Sequence, residues 1–268
     1  MAEKHRNCLH IGLERVEKKA NGCYCATARV GGREVYFESA APLAKAGEAF
    51  LTAFLFPAMC RGLDLEVDGP VCPQWLENID RARALAREWW GFSGGNIWRR
   101  GEERLTPAPG QALLFGGGVD SFYTLHQEKH RLSHLIYVEG FDVDLSDTAR
   151  LERVRGWNRA VAESCGLELV VVRTNIRHHP DFKVLSWTNS CGGALAAVGH
   201  LLRDSCGTVL LANDGHVTEI DPWAIGIHPR LTPGWASGAV HFIHHAESPI
   251  AGTHRRHPRR GGQHVLVL

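Results

Sequence analysis

Three glycines, an acid and a hydroxyl stand together near the middle of the chain, in the run Gly116-Gly-Gly-Val-Asp-Ser121. The apolar segment Ala112-Leu-Leu-Phe115 precedes this run and has the length of a buried parallel strand. The glycines permit a sharp turn and a close approach of the main chain to a ligand. We predict a helix over Phe122 to Lys129, whose unpaired N–H groups and positive dipole end would favour a bound anion at the loop.

The chain from Gln111 onward alternates short apolar segments with amphipathic ones. This alternation predicts a parallel sheet with helical crossovers, in which ligands bind outside the carboxyl ends of the strands where the strand order reverses. The predicted strands after the glycine run are His134–Glu139, Leu167–Val172 and Thr208–Ala212, and the predicted helices are Asp147–Ser164 and Ser190–Leu202.

Polar or glycine residues follow every one of these predicted strands. They are Glu139-Gly-Phe-Asp142 after the second strand, Arg173-Thr-Asn-Ile-Arg177 after the third and Asn213-Asp-Gly-His216 after the fourth. The carboxyl ends of the strands converge in a parallel sheet. These polar residues and the glycine run would therefore lie close together, which favours a nucleotide site over a chance grouping of loops.

The sequence patterns before and after this alternating region predict other kinds of structure. Residues 1–92 predict a small α+β domain, 93–110 a linker rich in glycine, proline and charge, and 246–268 a basic tail typical of disorder, with contact to nucleic acid as the weaker alternative. In the first region we predict a hairpin of Tyr24–Val30 and Glu34–Glu38, a helix from Pro42 to Gly62, a strand over Leu63–Asp68 and a helix over Pro73–Trp90.

Bulk composition excludes several protein classes. With 44% hydrophobic and 22% charged residues and a net charge of +1, the sequence is typical of a globular protein and global charge favours no partner. There is no long apolar run for a membrane span and no signal-like start, so we expect a cytoplasmic protein. The eight cysteines are scattered, which argues against a disulfide framework, although Cys23 and Cys25 would share a strand face and remain a possible metal or redox pair.

The glycine run resembles the Ser-Gly-Gly-x-Asp-Ser signature of the PP-loop ATP pyrophosphatases. It fits at five of six positions, with Gly116 where the family has Ser. Further similar features are Arg173-Thr-Asn175, Trp187 before a Gly/Ala-rich helix and Gly226-Ile-His-Pro229 followed by Trp235. The resemblance implies an α/β fold with a Rossmann-like, doubly wound parallel sheet of the PP-loop/HUP type over residues 111–245, preceded by the small α+β domain.

The resemblance also implies a function, namely an ATP-dependent adenylating enzyme with ATP and Mg²⁺ as cofactors. Such an enzyme activates an oxygen of a small-molecule substrate, releases pyrophosphate and passes the activated group to nitrogen or sulfur. It implies catalytic roles for Asp120 and Ser121, metal binding by Asp120, and a thiol role for which Cys191 is the candidate. The implied nucleotide-binding residues are Gly116, Gly117, Gly118, Val119, Asp120, Ser121, Val138, Glu139, Gly140, Phe141, Arg173 and Asn175.

Other interpretations of the glycine run stay open. A Walker-type P-loop is excluded because no Lys follows the glycines. A dinucleotide fingerprint, Gly-x-Gly-x-x-Gly, is met at Gly116 and Gly118 but not at Ser121, with Glu139 as the acid after the second strand, and it would make the chain an oxidoreductase. A nucleotide-binding protein without turnover, or a plain turn between strand and helix, would also account for the run. The sequence indicates neither the substrate nor an oligomeric state.

Overall fold

A computed structural model describes residues 7–213 and 224–246 of the chain. Ten strands within these ranges form one mixed sheet. The strands are β1 (Cys8–Lys18), β2 (Tyr24–Val30), β3 (Arg33–Ser39), β4 (Asp64–Val67), β5 (Ile97–Arg99), β6 (Gly110–Leu114), β7 (His134–Glu139), β8 (Glu168–Thr174), β9 (Cys206–Asn213) and β10 (His241–Ala246). The helices are α1 (Gly47–Cys60), α2 (Pro73–Trp90), α3 (Val119–Glu128), α4 (Thr148–Ser164), α5 (Pro180–Lys183) and α6 (Trp187–Leu201), with single 3₁₀ turns at Ile176–His178 and Thr232–Trp235.

The sheet has the order β10-β9-β6-β7-β8-β3-β2-β1-β4-β5. The five strands from β10 to β8 in this order pair in parallel with their neighbours. Helices connect β6 to β7, β7 to β8 and β8 to β9. Strands β6, β7 and β8 therefore lie side by side in chain order, and β9 lies on the opposite side of β6. The α/β class is confirmed, and the mostly parallel sheet is consistent with a Rossmann-like fold.

The first third of the chain joins this sheet rather than standing beside it. Strands β1, β2 and β3 form an antiparallel meander, and β3 pairs antiparallel with β8, with Phe37 opposite Thr174 and Ser39 opposite Val172. The segment 93–110, predicted from its composition to be a linker, contains β5, in which Ile97 pairs with Leu65 of β4. The two predicted domains therefore share one continuous hydrogen-bonded sheet.

Two apolar layers cover the sheet. The larger lies under α1, α2 and α6, where α1 is buried along almost its whole length and packs against α6. A helix that is apolar on all sides is expected in such a central place. The smaller layer lies under α3 and α4 and includes Leu113, Phe115, Leu125, Leu135 and Leu210.

Helix α1 begins at Gly47, five residues later than the predicted start at Pro42. The intervening segment is held instead by a long-range contact, in which the main-chain N–H of Ala44 donates to the carbonyl oxygen of Leu201 at 2.7 Å. Helix α2 occupies the predicted residues, with Pro73 in its first turn and Gly91 closing it at a φ of 66°. Within the described parts of the chain, no helix has both the length and the apolar character needed to cross a bilayer.

Candidate functional site

The glycine run forms the turn between β6 and α3. Phe115 still pairs with the sheet, since its N–H donates to the carbonyl oxygen of Ile136 at 2.8 Å. The chain then turns through Gly117, whose φ of 81° lies in the left-handed region that favours glycine. Gly118 precedes the first turn of α3, and no side chain caps this helix end. The first N–H groups of α3 have no partner within the helix, and with the helix dipole they favour an anion beside this end.

Ser121 closes the first turn of α3. Its Oγ donates to the carbonyl oxygen of Gly118 at 2.7 Å, and the residue is 6% exposed. The hydroxyl proton is used within the turn, whereas the oxygen keeps its lone pairs. Asp120 stands one residue earlier, where a carboxylate interacts favourably with the helix dipole.

An open cleft of about 280 Å³ lies above this turn, at the carboxyl ends of β6, β7 and β9. It is the place where the strand order reverses, as expected for ligand sites in open α/β sheets. Six of the predicted nucleotide-binding residues line it: Gly116, Gly118, Asp120, Ser121, Val138 and Phe141. The other lining residues, none of which was among the predicted nucleotide-binding residues, are Leu114, Phe115, Ile136, Tyr137, Asp142, Leu195, Leu211, Ala212 and Ile227.

The other predicted site residues do not line the cleft. Gly117 lies within the turn, and Val119 is 80% exposed on the outer surface of α3. Gly140 meets a structural need, since its φ is 93° and a Cβ there would lie 2.1 Å from the carbonyl oxygen of Thr174. The polar residues predicted after the fourth strand, Asp214 to His216, lie outside the described residues, as does the tail from residue 247.

Glu139 forms ion pairs with two arginines, Arg155 and Arg173. Glu139 is 1% exposed, and its Oε1 accepts hydrogen bonds from Nε and Nη2 of Arg155 at 2.8 and 2.6 Å. Its Oε2 lies 3.5 Å from Nη1 of Arg173. A buried carboxylate needs such compensation, which explains this network without a ligand.

Asn175 joins the two parts of the sheet. Its Oδ1 accepts a hydrogen bond from the N–H of Tyr36 at 3.0 Å, and its Nδ2 donates to the carbonyl oxygen of Glu34 at 3.1 Å. Both partners belong to β3, beside its pairing with β8. Its side-chain amide is therefore occupied in holding strands together.

Asp142 is an acid that sequence reasoning placed near the site without giving it a role. Its Oδ2 lies 3.9 Å from the position that a Cβ would take on Gly116, so the carboxylate stands over the glycine turn. Although the residue is exposed at the cleft wall, desolvation by the surrounding protein raises the pKa of its carboxyl, and Arg177 and Arg150 partly oppose this shift. Arg177 is fixed nearby, because it donates to the carbonyl oxygen of Phe141 and its guanidinium stacks 4.5 Å above the Trp187 ring.

Cys191, the candidate thiol for sulfur transfer, is held as a neutral thiol. Burial raises its pKa to about 12, and its Sγ donates to the carbonyl oxygen of Thr188 at 3.5 Å. At neutral pH the nucleophilic thiolate is therefore scarcely populated.

Within residues 7–213 and 224–246 no group of three or more His, Cys, Asp or Glu side chains is arranged to hold a metal ion. Cys23 and Cys25 are both free thiols. Any cation in the cleft would need ligands from a bound molecule in addition to carboxylates.

Comparisons of this chain with models of known protein families, with curated proteins and with solved structures gave no match.

Proposed function

We propose that the chain binds ATP in this cleft and transfers its AMP group to an oxygen of a small-molecule substrate. The observation that carries the proposal is the open cleft at the strand-order reversal, with the glycine turn and the first turn of α3 at its base. In the transfer, the acceptor oxygen attacks the α-phosphorus, the bond from that phosphorus to the bridging oxygen breaks, and pyrophosphate leaves with the electron pair.

Phosphate binding follows from the chemistry of the turn. The N–H groups from Gly118 to Ser121 and the dipole of α3 supply positive partial charge where pyrophosphate charge develops. Ser121 also lines the cleft, and its hydroxyl would donate to a phosphate oxygen by turning its proton away from the Gly118 carbonyl oxygen. Such fixed donors stabilise the leaving group without rearranging during the reaction.

Two carboxylates in an anion site fit a divalent cation. Asp120 and Asp142 both line the cleft, and together with phosphate oxygens they offer the oxygen ligands that Mg²⁺ prefers. The ion, when bound, would neutralise charge on the departing pyrophosphate. We therefore assign Mg²⁺ to Asp120, with Asp142 as the second acidic ligand.

The apolar wall of the cleft suits the base and sugar. Val138 and Phe141 come from the end of β7 and its loop, and Leu195 and Ile227 lie on the side of α6. Apolar surface of this kind binds an aromatic base through burial.

A nucleotide-binding protein without turnover is the second candidate. It is favoured by Gly116, which lacks the hydroxyl of the similar family motif, and by the neutral thiol of Cys191. The oxidoreductase interpretation is weaker, because it needs Glu139 for a ribose hydroxyl, and that carboxylate is buried against Arg155 and Arg173.

The deciding experiment measures ATP binding and pyrophosphate release on the same protein. We expect MgATP to bind, and pyrophosphate to appear with some members of a panel of small molecules bearing carboxylate or amide oxygens. Asp120→Asn should slow release by about 100-fold, the loss expected for several kcal/mol of metal-assisted charge stabilisation. Glu163→Gln makes the same chemical change on the exposed side of α4 and should leave the rate unchanged.

The outcomes separate the candidates. Binding of ATP without pyrophosphate across the whole panel would support the non-catalytic protein. A wild-type chain that binds no ATP, while NAD or NADP raises its melting temperature, would refute the proposal in favour of the oxidoreductase.

A further inference from the structure

Asn158 of α4 carries an unexplained buried amide. The residue is 0% exposed, and neither Nδ2 nor Oδ1 has a hydrogen-bond partner among the described residues. Buried polar groups are nearly always paired, because an unpaired one has lost its hydration without replacement. Leu151 and Ala162 are buried on the same helix and Arg155 has Glu139 as its partner, so an asparagine with no partner there needs a reason.

The amide lies against the glycine turn. A Cβ built on Gly117 would stand 3.4 Å from Oδ1 of Asn158, so the one turn residue with a positive φ faces this side chain. An amide carries an acceptor at one end and donors at the other, so either orientation presents a polar atom to the turn.

A second buried polar group belongs to the same region. Tyr137 of β7 lines the cleft, is 5% exposed, and has a hydroxyl without a hydrogen-bond partner among the described residues. The contact of Glu139 with Arg155 shows that this face of β7 meets α4. Tyr137 is two residues before Glu139 on that face, and Asn158 is three residues after Arg155 on the antiparallel helix, so both belong to the interface between β7 and α4.

We propose that Asn158 is a positioning residue for the polyphosphate, whose side-chain amide pairs with the main chain at Gly117 when phosphate binds and so fixes the turn with its N–H groups toward the phosphates. The amide is neutral and adds no charge beside an anion, whereas a carboxylate there would repel it. This inference rests on the proposed nucleotide site, but it requires only polyphosphate binding and not AMP transfer.

The test pairs stability with binding in Asn158→Leu, which keeps the number and branching of the side-chain heavy atoms. If the amide serves the bound state, the melting temperature stays the same or rises, because an unpaired buried amide is replaced by an apolar group. The Kd for MgATP and for inorganic tripolyphosphate should rise at least about tenfold, which corresponds to about 1.4 kcal/mol. Asn158→Asp should weaken both ligands further.

Asn78→Leu is the matched control. Asn78 lies in α2, away from the cleft, and its Nδ2 donates to the carbonyl oxygen of Ala236 at 3.1 Å. This change should lower the melting temperature and leave both Kd values as in the wild type. The opposite pattern in Asn158→Leu, a lower melting temperature with wild-type Kd values, would overturn the inference.

A measurement on the wild-type chain guards against a variant that does not fold. With asparagine labelled selectively with ¹⁵N, the side-chain amide resonances of Asn158 should shift on titration with tripolyphosphate, while those of Asn78 stay in place. An unmoved Asn158 signal at saturation refutes the inference. If tripolyphosphate binds and depends on Asn158 but ATP yields no pyrophosphate, only the proposed turnover fails. If neither ligand binds the wild type, both proposals fail.

Discussion

Gly118→Ala tests whether main-chain groups of the turn hold phosphate. Gly118 has a φ of −78° and a ψ of 166°, which alanine adopts without strain, and an added Cβ would meet no atom within 4 Å. The fold should therefore tolerate the methyl group, with the unfolding free energy changed by less than about 1 kcal/mol, because the lower chain entropy of alanine is offset by its weaker preference for a helix N-cap. Because Gly118 lines the cleft, the methyl group enters the space assigned to the phosphates.

The expected loss is specific to binding. If the methyl group displaces the phosphates so that one hydrogen bond from a main-chain N–H to a charged phosphate oxygen is lost, the binding free energy weakens by about 1.5–3 kcal/mol. That cost corresponds to a rise in the Kd for MgATP of about 10- to 150-fold. Titration calorimetry with MgATP and with tripolyphosphate measures this change, and urea unfolding of the same preparation measures stability.

Gly156→Ala is the matched control for this change. Gly156 lies on the exposed side of α4, and a Cβ there also meets no atom within 4 Å. Alanine should stabilise this helix by about 0.5–1 kcal/mol and leave the Kd alone. If Gly118→Ala folds normally and binds MgATP as tightly as the wild type, the turn does not hold phosphate and the proposed site is wrong.

Two further predictions follow from buried titratable groups. Burial lowers the pKa of His200 from 6.5 to about 3, so the unfolded chain takes up the proton first and stability falls as the pH drops below about 6.5. Between pH 7 and 5 the wild type should lose about 2 kcal/mol more unfolding free energy than His200→Gln; equal losses in urea titrations would contradict this. Because burial raises the pKa of the Cys191 thiol to about 12, Cys191 should react with iodoacetamide at pH 8 about 1,000-fold more slowly than in the unfolded chain. Peptide mapping by mass spectrometry measures the labelling, with the exposed Cys60 as internal control. Equal labelling of Cys191 and Cys60 in the folded chain would refute the prediction.

Elements with strong local signals were predicted at the residues where the structure has them. Strand β7 is an apolar run bounded by polar residues, and α2 has a proline in its first turn and a glycine after its last. Each signal acts within a few residues of the element, so the sequence alone contains it. The α/β alternation after Gln111 was predictable for the same reason.

Strands β1, β5 and β10 were not predicted, because their pairing rather than their pattern forms them. The second half of β1 alternates charged and apolar residues with little burial, and it is held by β2, with Val16 opposite Ala26. In β10, three histidines interrupt the apolar residues, and the strand forms by pairing in parallel with β9. Non-local hydrogen bonds of this kind leave no mark in a window of the sequence.

The candidate site, too, could be predicted from the sequence only in part. The end of a predicted strand locates polar residues near a cleft, but it does not say whether their partner is a ligand or another side chain. Asn175 was predicted to bind nucleotide and instead pairs with Tyr36 and Glu34, about 140 residues earlier in the chain. Asn158 shows the reverse, since in the sequence it is one polar residue in a helix, and only its burial without a partner marks it. For a buried amide, the set of atoms around it separates a structural role from a binding role, and that set is fixed only when distant segments pack together.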